Sequence, residues 1–323
     1  MTLIELIENG ARRLTEAGVA FGHGTSNAFD ESAWLTLWQL GLALDTPLDD
    51  PADNPDSQQK MPVALDQQSL VATLFDTRIA TRQPAAYLTR EAWLQGVPFY
   101  VDERAIVPRS LIAEVLAEGT IDIWLSDQTR HVLDLCTGNG SLAVLAAMAW
   151  PEVQVVGADL SPDALAVARI NVDKHGMSER IALVESDGLA AFAASYNAPQ
   201  TTQTTQTTQS TAQPHLPQQF DLILCNPPYV NADSMATLPP EFLAEPAMAL
   251  SGNAAGGADG MDFIRPLLAQ APAHMTANGV LVLEIGHERP FFEAAFPDLE
   301  PIWLSTSAGD DQVLLLTRDK LAA

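Results

Sequence analysis

The sequence is poor in basic residues. Sixteen Lys and Arg stand against 41 Asp and Glu in 323 residues, a formal net charge of −25. Nucleic-acid binding draws its affinity from basic side chains that neutralise phosphates, and the densest basic pair here is Arg12-Arg13. Direct DNA binding is therefore not expected, whereas a basic protein partner would be attracted. Cysteine is scarce too. Cys136 and Cys225 fit neither a CxxC nor a zinc spacing, which excludes a disulfide framework. The six histidines include no HExxH pair, so no metal site is expected. No apolar run reaches the roughly 18 residues of a membrane helix. The start, Met1-Thr2-Leu3-Ile4-Glu5, lacks the basic, apolar and cleavage regions of a signal peptide. A cytoplasmic chain without membrane contact is the expectation. At 47% hydrophobic and 18% charged residues, it has enough apolar material for an ordered core.

The length suggests two domains, and the hydrophobic pattern divides the chain into three parts. Residues 1–90 read as helical. Leu3, Ile7, Ala11 and Leu14 keep a helical period that Gly18 can end. Asp30 is placed to cap a second helix carrying Ala33, Trp34, Leu37, Leu40 and Leu44. A proline-rich loop follows at 47–62, then a third helix over 66–82 with Leu70, Leu74 and Ile79 inward. Residues 91–118 read as a connector: a β-hairpin through Trp93 to Val101, then a short helix after Pro108-Arg109. Residues 119–323 alternate apolar strands with helices. Five strands are expected near 131–135, 154–159, 180–184, 220–225 and 279–285, with a helix over 260–277 before the fifth. Two late strands at 300–305 and 312–317 bring the sheet to seven. Continuous apolar strands separated by helices predict an α/β fold with a mainly parallel sheet covered on both faces. The segment 199–219, with three copies of Thr-Thr-Gln at 201–209, has no apolar period and reads as a flexible loop.

Three signals collect at the ends of strands, where open parallel sheets bind ligands. The first is Asp134-Leu135-Cys136-Thr137-Gly138-Asn139-Gly140. Its glycines let the backbone approach a ligand and turn into a helix N-terminus. Gly138, Gly140 and Ala143 also satisfy the dinucleotide pattern, so this turn alone leaves the cofactor open. Asp134 can pair with a ligand ammonium or cap the turn's own N–H groups. The second signal is Asp159, about 20 residues on, placed to accept two ribose hydroxyls. Asp187 lies where an adenine amino group would reach, or else starts the next helix. The third is Asn226-Pro227-Pro228-Tyr229. Neither proline donates an N–H, so the Asn226 side-chain carbonyl and the Pro227 backbone carbonyl can present a fork of acceptors to a planar –NH2 group. Tyr229 can stack on that group. A hydride-transfer site is not part of this pattern.

On these residues, 130–318 resembles the class I S-adenosylmethionine-dependent methyltransferases, with their Rossmann-like sheet, and the tetrapeptide resembles the subgroup that methylates planar nitrogens. The helical start, the hairpin and Glu245-Pro246-Ala247-Met248-Ala249-Leu250, with Asp259-Gly260 beyond it, are similar to the protein-glutamine N5-methyltransferases. Phe21-Gly22-His23-Gly24-Thr25, Ala85-Ala86-Tyr87-Leu88-Thr89 and Val107-Pro108-Arg109-Ser110 resemble the branch acting on ribosomal protein L-three rather than the branch acting on release factors. The resemblance implies an enzyme with S-adenosylmethionine as cofactor and a basic ribosomal protein as partner. By position, Cys136, Thr137, Gly138, Asn139 and Gly140 would line the methionine part. Asp159, with Leu160, would hold the ribose, and Asp187 and Gly188 would flank the adenine. Asn226, Pro227, Pro228 and Tyr229 would hold the glutamine amide. Arg109 is a substrate-orienting candidate or a structural tie, with the tie favoured. His23 is expected to fix the N-terminal fold, and Glu284 to be structural. The other readings are a release-factor enzyme, an adenine-N6 methyltransferase and a non-catalytic ribosome-assembly module.

Overall fold

The computed structural model describes residues 1–48, 57–193 and 216–322. The Thr/Gln stretch expected as a loop lies, over 199–215, outside the described residues, as do Pro51 and Pro55. Contacts group the chain into two units, Met1–Arg109 with Thr237–Ala247, and Ser110–Ala236 with Met248–Ala323.

The first unit is helical. Helix α1 (Leu3–Glu16) begins with a reciprocal cap: Thr2 Oγ1 accepts the Glu5 N–H and the Glu5 carboxylate accepts the Thr2 N–H. Its buried stripe is Leu3, Leu6, Ile7 and Leu14. Helix α2 (Ala28–Leu40) is capped by Asn27, whose Oδ1 accepts the Asp30 N–H at 2.9 Å. Asp30, expected as the cap, stands inside the first turn. Asn27 is the last residue in extended conformation and so takes the role. Helix α3 (Leu65–Thr81) turns inward a face that is only partly the expected one, with Leu74 and Ile79 packed half-buried on the core. Val71, Phe75 and Arg78 are buried, while Leu70 is 49% exposed. The apolar period alone could not assign this face, because its third member is a cation. Arg78 is fully buried, with Glu31 at 2.9 Å and Glu241 at 3.6 Å. Helix α4 (Ala85–Thr89) leads to a hairpin of β1 (Ala92–Leu94) and β2 (Val97–Phe99). Gln95 and Gly96 between them both have positive φ, the turn that matches strand twist.

Glu245 fastens the segment Thr237–Ala247 into this unit. Its side chain is fully buried and takes a bidentate grip from Arg109 at 2.7 and 2.8 Å. The Val107 N–H at 2.8 Å and His23 Nε2 at 3.2 Å complete its shell. Burial alone would raise the Glu245 pKa, but Arg109, helped by His23, holds it at about 2. The folded value lies below the unfolded one. The resulting stability is present above the ordinary Glu range and is lost as pH falls toward 2. Glu245 is therefore expected to contribute about 3 kcal/mol at neutral pH that disappears between roughly pH 5 and pH 2. Urea denaturation followed against pH checks this: Glu245→Gln should flatten the acid limb, and an unchanged limb would contradict the assignment.

The second unit carries seven strands among the described residues: β3 (His131–Leu135), β4 (Gln154–Asp159), β5 (Ile181–Glu185), β6 (Phe220–Cys225), β7 (Met275–Glu284), β8 (Ile302–Thr306) and β9 (Gly309–Thr317). Their order is β5-β4-β3-β6-β7-β9-β8, with β3 to β7 parallel and β9 antiparallel to both its neighbours. Helices α5 (Ile112–Ala117), α6 (Ser141–Ala149) and α7 (Pro162–Lys174) belong to this unit. The expected α/β sheet is present. The helix expected over 260–277 is shorter, Ile264–Gln270, followed by a 3₁₀ turn at Ala271–His274. The strand claims the rest, because Met275 pairs with Phe220 at the start of β6. No helix among the described residues is long and apolar enough to cross a membrane.

Candidate active site

The chain runs β3, β4, β5 outward in one direction and places β6 on the other side of β3. The carboxyl ends of β3 and β6 therefore flank the point where the strand order reverses, the place where open α/β sheets hold ligands. Leu135 is level with both Ala158 of β4 and Cys225 of β6, and Asp159 is level with Glu185 of β5. The loops carrying the four groups of sequence-derived site residues thus leave neighbouring strands at one edge.

After β3 the chain turns sharply. Cys136, Gly138 and Gly140 all have positive φ, at 61°, 55° and 81°. A Cβ on Gly140 would stand 3.2 Å from the Ala168 backbone, so the turn also needs a glycine to lie against α7. Asp134 is fully buried. Its Oδ2 accepts the Thr137 hydroxyl at 2.5 Å and the Ala143 N–H at 2.9 Å. That oxygen caps the turn, the second of its two expected roles. Among the described residues, Asp134 Oδ1 and the nearby Asn139 Nδ2 are buried with no hydrogen-bond partner. Burial, with the Asp159 charge adding to it, pushes Asp134 up to about 7 against the two hydrogen bonds.

Asp159 ends β4 and is half-buried. One oxygen accepts the Gly138 N–H and the other the Ser161 N–H, both at 2.9 Å. Each carboxylate oxygen keeps a second lone pair for a ligand hydroxyl. Burial raises the Asp159 pKa, with these backbone bonds opposing. Ser161 caps α7, freeing Asp159 from that task. Leu160 is 52% exposed, Asp187 is exposed and Gly188 half-buried in the turn after β5. Cys136 packs on the core beside Cys225, whose thiol, together with burial, holds the Cys136 thiol protonated well above its ordinary range.

Beyond β6, Asn226, Pro228 and Tyr229 are partly exposed and Pro227 is buried. Among the described residues, the Asn226 side chain makes no hydrogen bond. The residues after it are firmly held. Val230 exchanges backbone bonds with Leu250 and Gly252, and Asn253 Nδ2 donates to the Val230 carbonyl at 3.0 Å. Asn253 Oδ1 also accepts the Gly260 N–H, so the glycine-rich stretch after Leu250 forms an ordered brace for this loop. Arg109 and His23 lie in the helical unit on Glu245.

The comparisons agree with this geometry. A family model described as a methyltransferase domain matches residues 126–251. Relatives named ribosomal protein uL3 glutamine methyltransferase come from Bordetella pertussis, Burkholderia pseudomallei and Neisseria meningitidis. They are 47%, 46% and 41% identical, over 99%, 100% and 99% of this chain and 96%, 96% and 94% of theirs. The chain belongs to the uL3 glutamine methyltransferase family. Among solved structures it is similar to TrmN from Thermus thermophilus, 19% identical with a TM-score of 0.41, covering 65% of this chain and 50% of that one.

Sequence reasoning passed over one group of residues. Glu288 is buried and takes the Asn231 side-chain amide on both oxygens at 2.8 Å. Gly286, at φ +53°, lies against the Tyr229 ring. Nothing in the local pattern singles out Glu288, since an acid at the start of a helix ordinarily serves that helix.

The raised Asp134 pKa has a sign opposite to that of Glu245. Between the unfolded value near 3.8 and the folded value of about 7, the native state binds the extra proton. Stability without added ligand should therefore fall as pH rises through that window, by on the order of 4 kcal/mol. Asp134→Asn, a neutral isostere that can still accept from Ala143, should remove this fall when thermal unfolding is measured from pH 4 to pH 8. A variant with an unchanged slope would refute it.

Proposed function

We propose that this chain transfers a methyl group from S-adenosylmethionine to the side-chain amide nitrogen, N5, of a glutamine in ribosomal protein uL3, acting in the cytoplasm. The observation that carries the reading is the unspent hydrogen-bonding capacity of Asn226, at the switch point beside the glycine turn, in a chain 47% identical to a uL3 glutamine methyltransferase along nearly its whole length.

The site fits such a cofactor in its own terms. Asp134 Oδ1 is an acceptor without a donor, available to an ammonium. The turn Cys136 to Gly140 offers a close backbone approach to the methionine part. Asp159 retains lone pairs for two ribose hydroxyls, with exposed Leu160 next to it, and Asp187 and Gly188 flank the adenine position. When bound, S-adenosylmethionine supplies an electrophilic methyl on a sulfonium.

The protein's part is chiefly positional. The Asn226 side-chain oxygen and the Pro227 carbonyl accept the two amide hydrogens of the glutamine, fixing the plane of its –NH2 group. The face of Tyr229 covers that plane. Holding both hydrogens aims the nitrogen lone pair and withdraws it partly from resonance, so that an in-line attack becomes a matter of alignment. The amide proton is too weakly acidic to leave first and departs during or after transfer, so a strong base is not required. The nearby carboxylates of Glu284 and Glu288 already accept protein donors, consistent with a holding task.

Two substitutions separate binding from chemistry. Asn226→Ala should lower kcat by roughly 100-fold while leaving cofactor affinity nearly unchanged. Asp159→Ala should weaken cofactor binding by about 1.5–3 kcal/mol, the scale of charge-assisted hydrogen bonds. Calorimetry and steady-state kinetics read the two effects. Turnover near wild type in Asn226→Ala would remove the reading.

The partner is tested by side-by-side methylation of free uL3 and release factor at equal concentration. The uL3 protein should be modified much faster. With a net charge of −25, kcat/KM for this basic substrate should fall as salt shortens the Debye length from about 30 Å to about 8 Å, while kcat responds less. Equal or faster modification of release factor would assign the chain to the other branch.

A further inference from the structure

The proposed chemistry asks Tyr229 to present one ring face in one orientation. The fixing groups lie in the next crossover, where β7 ends. Glu284, its last residue, is buried, and its Oε1 accepts the Tyr229 hydroxyl at 3.4 Å. Its Oε2 accepts the Ser110 hydroxyl at 2.5 Å and the Leu111 N–H at 2.9 Å, which anchors the carboxylate itself. Two residues on, Gly286 leaves a slot for the ring. A Cβ there would stand 2.7 Å from Tyr229 Cε2 and 3.0 Å from both Cζ and Oη. Two residues further, Glu288 grips the Asn231 side chain at 2.8 Å on each oxygen and accepts the Asn231 N–H at 3.4 Å.

We infer that the segment Glu284-Ile285-Gly286-His287-Glu288 is a positioning element for the substrate amide, with Glu284 and Gly286 acting through the Tyr229 ring and Glu288 through the backbone beyond it. This rests on the proposed role of the tetrapeptide. The chemistry favours this division of labour. A tyrosine ring turns about two torsions. A hydrogen bond at its hydroxyl and close packing against Gly286 restrict both torsions, so the face is directed by Glu284 and Gly286 before a glutamine arrives. A buried carboxylate is a costly structural filler. Its retention at the end of an apolar strand is accounted for by donors arriving from two separate elements: Ser110 and Leu111 before α5, and Tyr229 after β6. The alternating spacing of Glu284, Gly286 and Glu288 brings each to a different point of the same loop, and Gly286 makes this possible by taking a positive φ of 53°.

A double-mutant cycle tests it, with free uL3 as substrate and cofactor affinity measured separately by calorimetry. Tyr229→Phe removes the hydroxyl but keeps the ring, and Glu284→Ala removes its anchor. Each should lower kcat by about tenfold, with cofactor Kd unchanged within about twofold, and the double variant should lose about tenfold, not a hundredfold, because both act on one ring orientation. A purely structural Glu284 would give losses that multiply, and that result overturns the inference. Gly286→Ala supplies a second test that leaves the carboxylate intact and stands if Glu284→Ala does not fold. It should lower kcat to a similar degree, and wild-type kcat there overturns the inference too. Asn226→Ala run in parallel separates the two levels: lost turnover beside multiplying losses refutes this inference alone, whereas retained turnover refutes the reading beneath it.

Discussion

A loop built on two consecutive prolines cannot brace itself. Neither Pro227 nor Pro228 has an N–H to give, and in the proposed reading the acceptors of Asn226 and Pro227 stay unspent for the substrate. The restraint comes from outside. The chain before the loop is locked in the sheet, with Leu222 to Cys225 paired to both β3 and β7. After it, Val230 is paired with Leu250 and Gly252, Asn253 clips the same carbonyl, and Glu288 takes Asn231. The Tyr229 ring lies between Glu284 and the bare backbone of Gly286. The glycine-rich stretch after 250 supplies this restraint through one isolated bridge, Val230 to Ser251.

Burial acts on two carboxylates with opposite results. Asp134 and Glu245 are both shut away from water, but Asp134 faces a hydroxyl, a backbone N–H and a second acid, while Glu245 faces a guanidinium and a histidine. One is pushed up to about 7 and the other held at about 2. The difference separates a group left with electrostatic need from a group whose need is met. An acid of the first kind suits a place where a cation arrives from outside. One of the second kind suits a fastener, and Glu245 holds a stretch of chain in the helical unit. In the sequence both stand as single acids within mainly apolar stretches, and only their neighbours in space tell them apart.

Much of the sheet was legible because parallel strands buried on both faces are continuous apolar runs, and β3, β4 and β6 appear in the sequence as such. The residues proposed for the site stood out for a different reason: glycine, proline and acid at strand ends are choices that local chemistry constrains, and Gly138, Gly140, Asp159 and Asn226-Pro227-Pro228-Tyr229 lie at or just beyond the carboxyl ends of β3, β4 and β6. What escaped depends on long-range pairing. The inward face of α3 was only partly placed, because its buried Arg78 is met by Glu31 and Glu241, the latter more than 160 positions away. The helix before β7 was drawn too long because Met275 pairs with Phe220 across the gap between strands. Gly286 and Glu288 carried no local signature, since their partners Tyr229 and Asn231 lie more than 50 positions upstream.

The excess acid takes on meaning beside the internal use of the cations. Arg78 is fully buried, Arg109 is bound by Glu245, and Arg180 gives its guanidinium to the carbonyls of Ala147, Trp150 and Val153. Arg82 likewise holds Ala17, Gly18 and Glu241. Arg78, Arg82 and Arg109 so occupied pair with interior carboxylates and are not available to the outer acids. The field felt by an approaching macromolecule is therefore strongly negative, repelling phosphate backbones and drawing in basic protein chains. That field falls off over about a Debye length of 8 Å at physiological salt and acts equally on every basic chain. In the proposed reading, choosing one amide is left to contacts within van der Waals reach, where a planar –NH2 would meet two acceptors and an aromatic face. Attraction at long range and selection at short range fall to different residues, so either can change without the other.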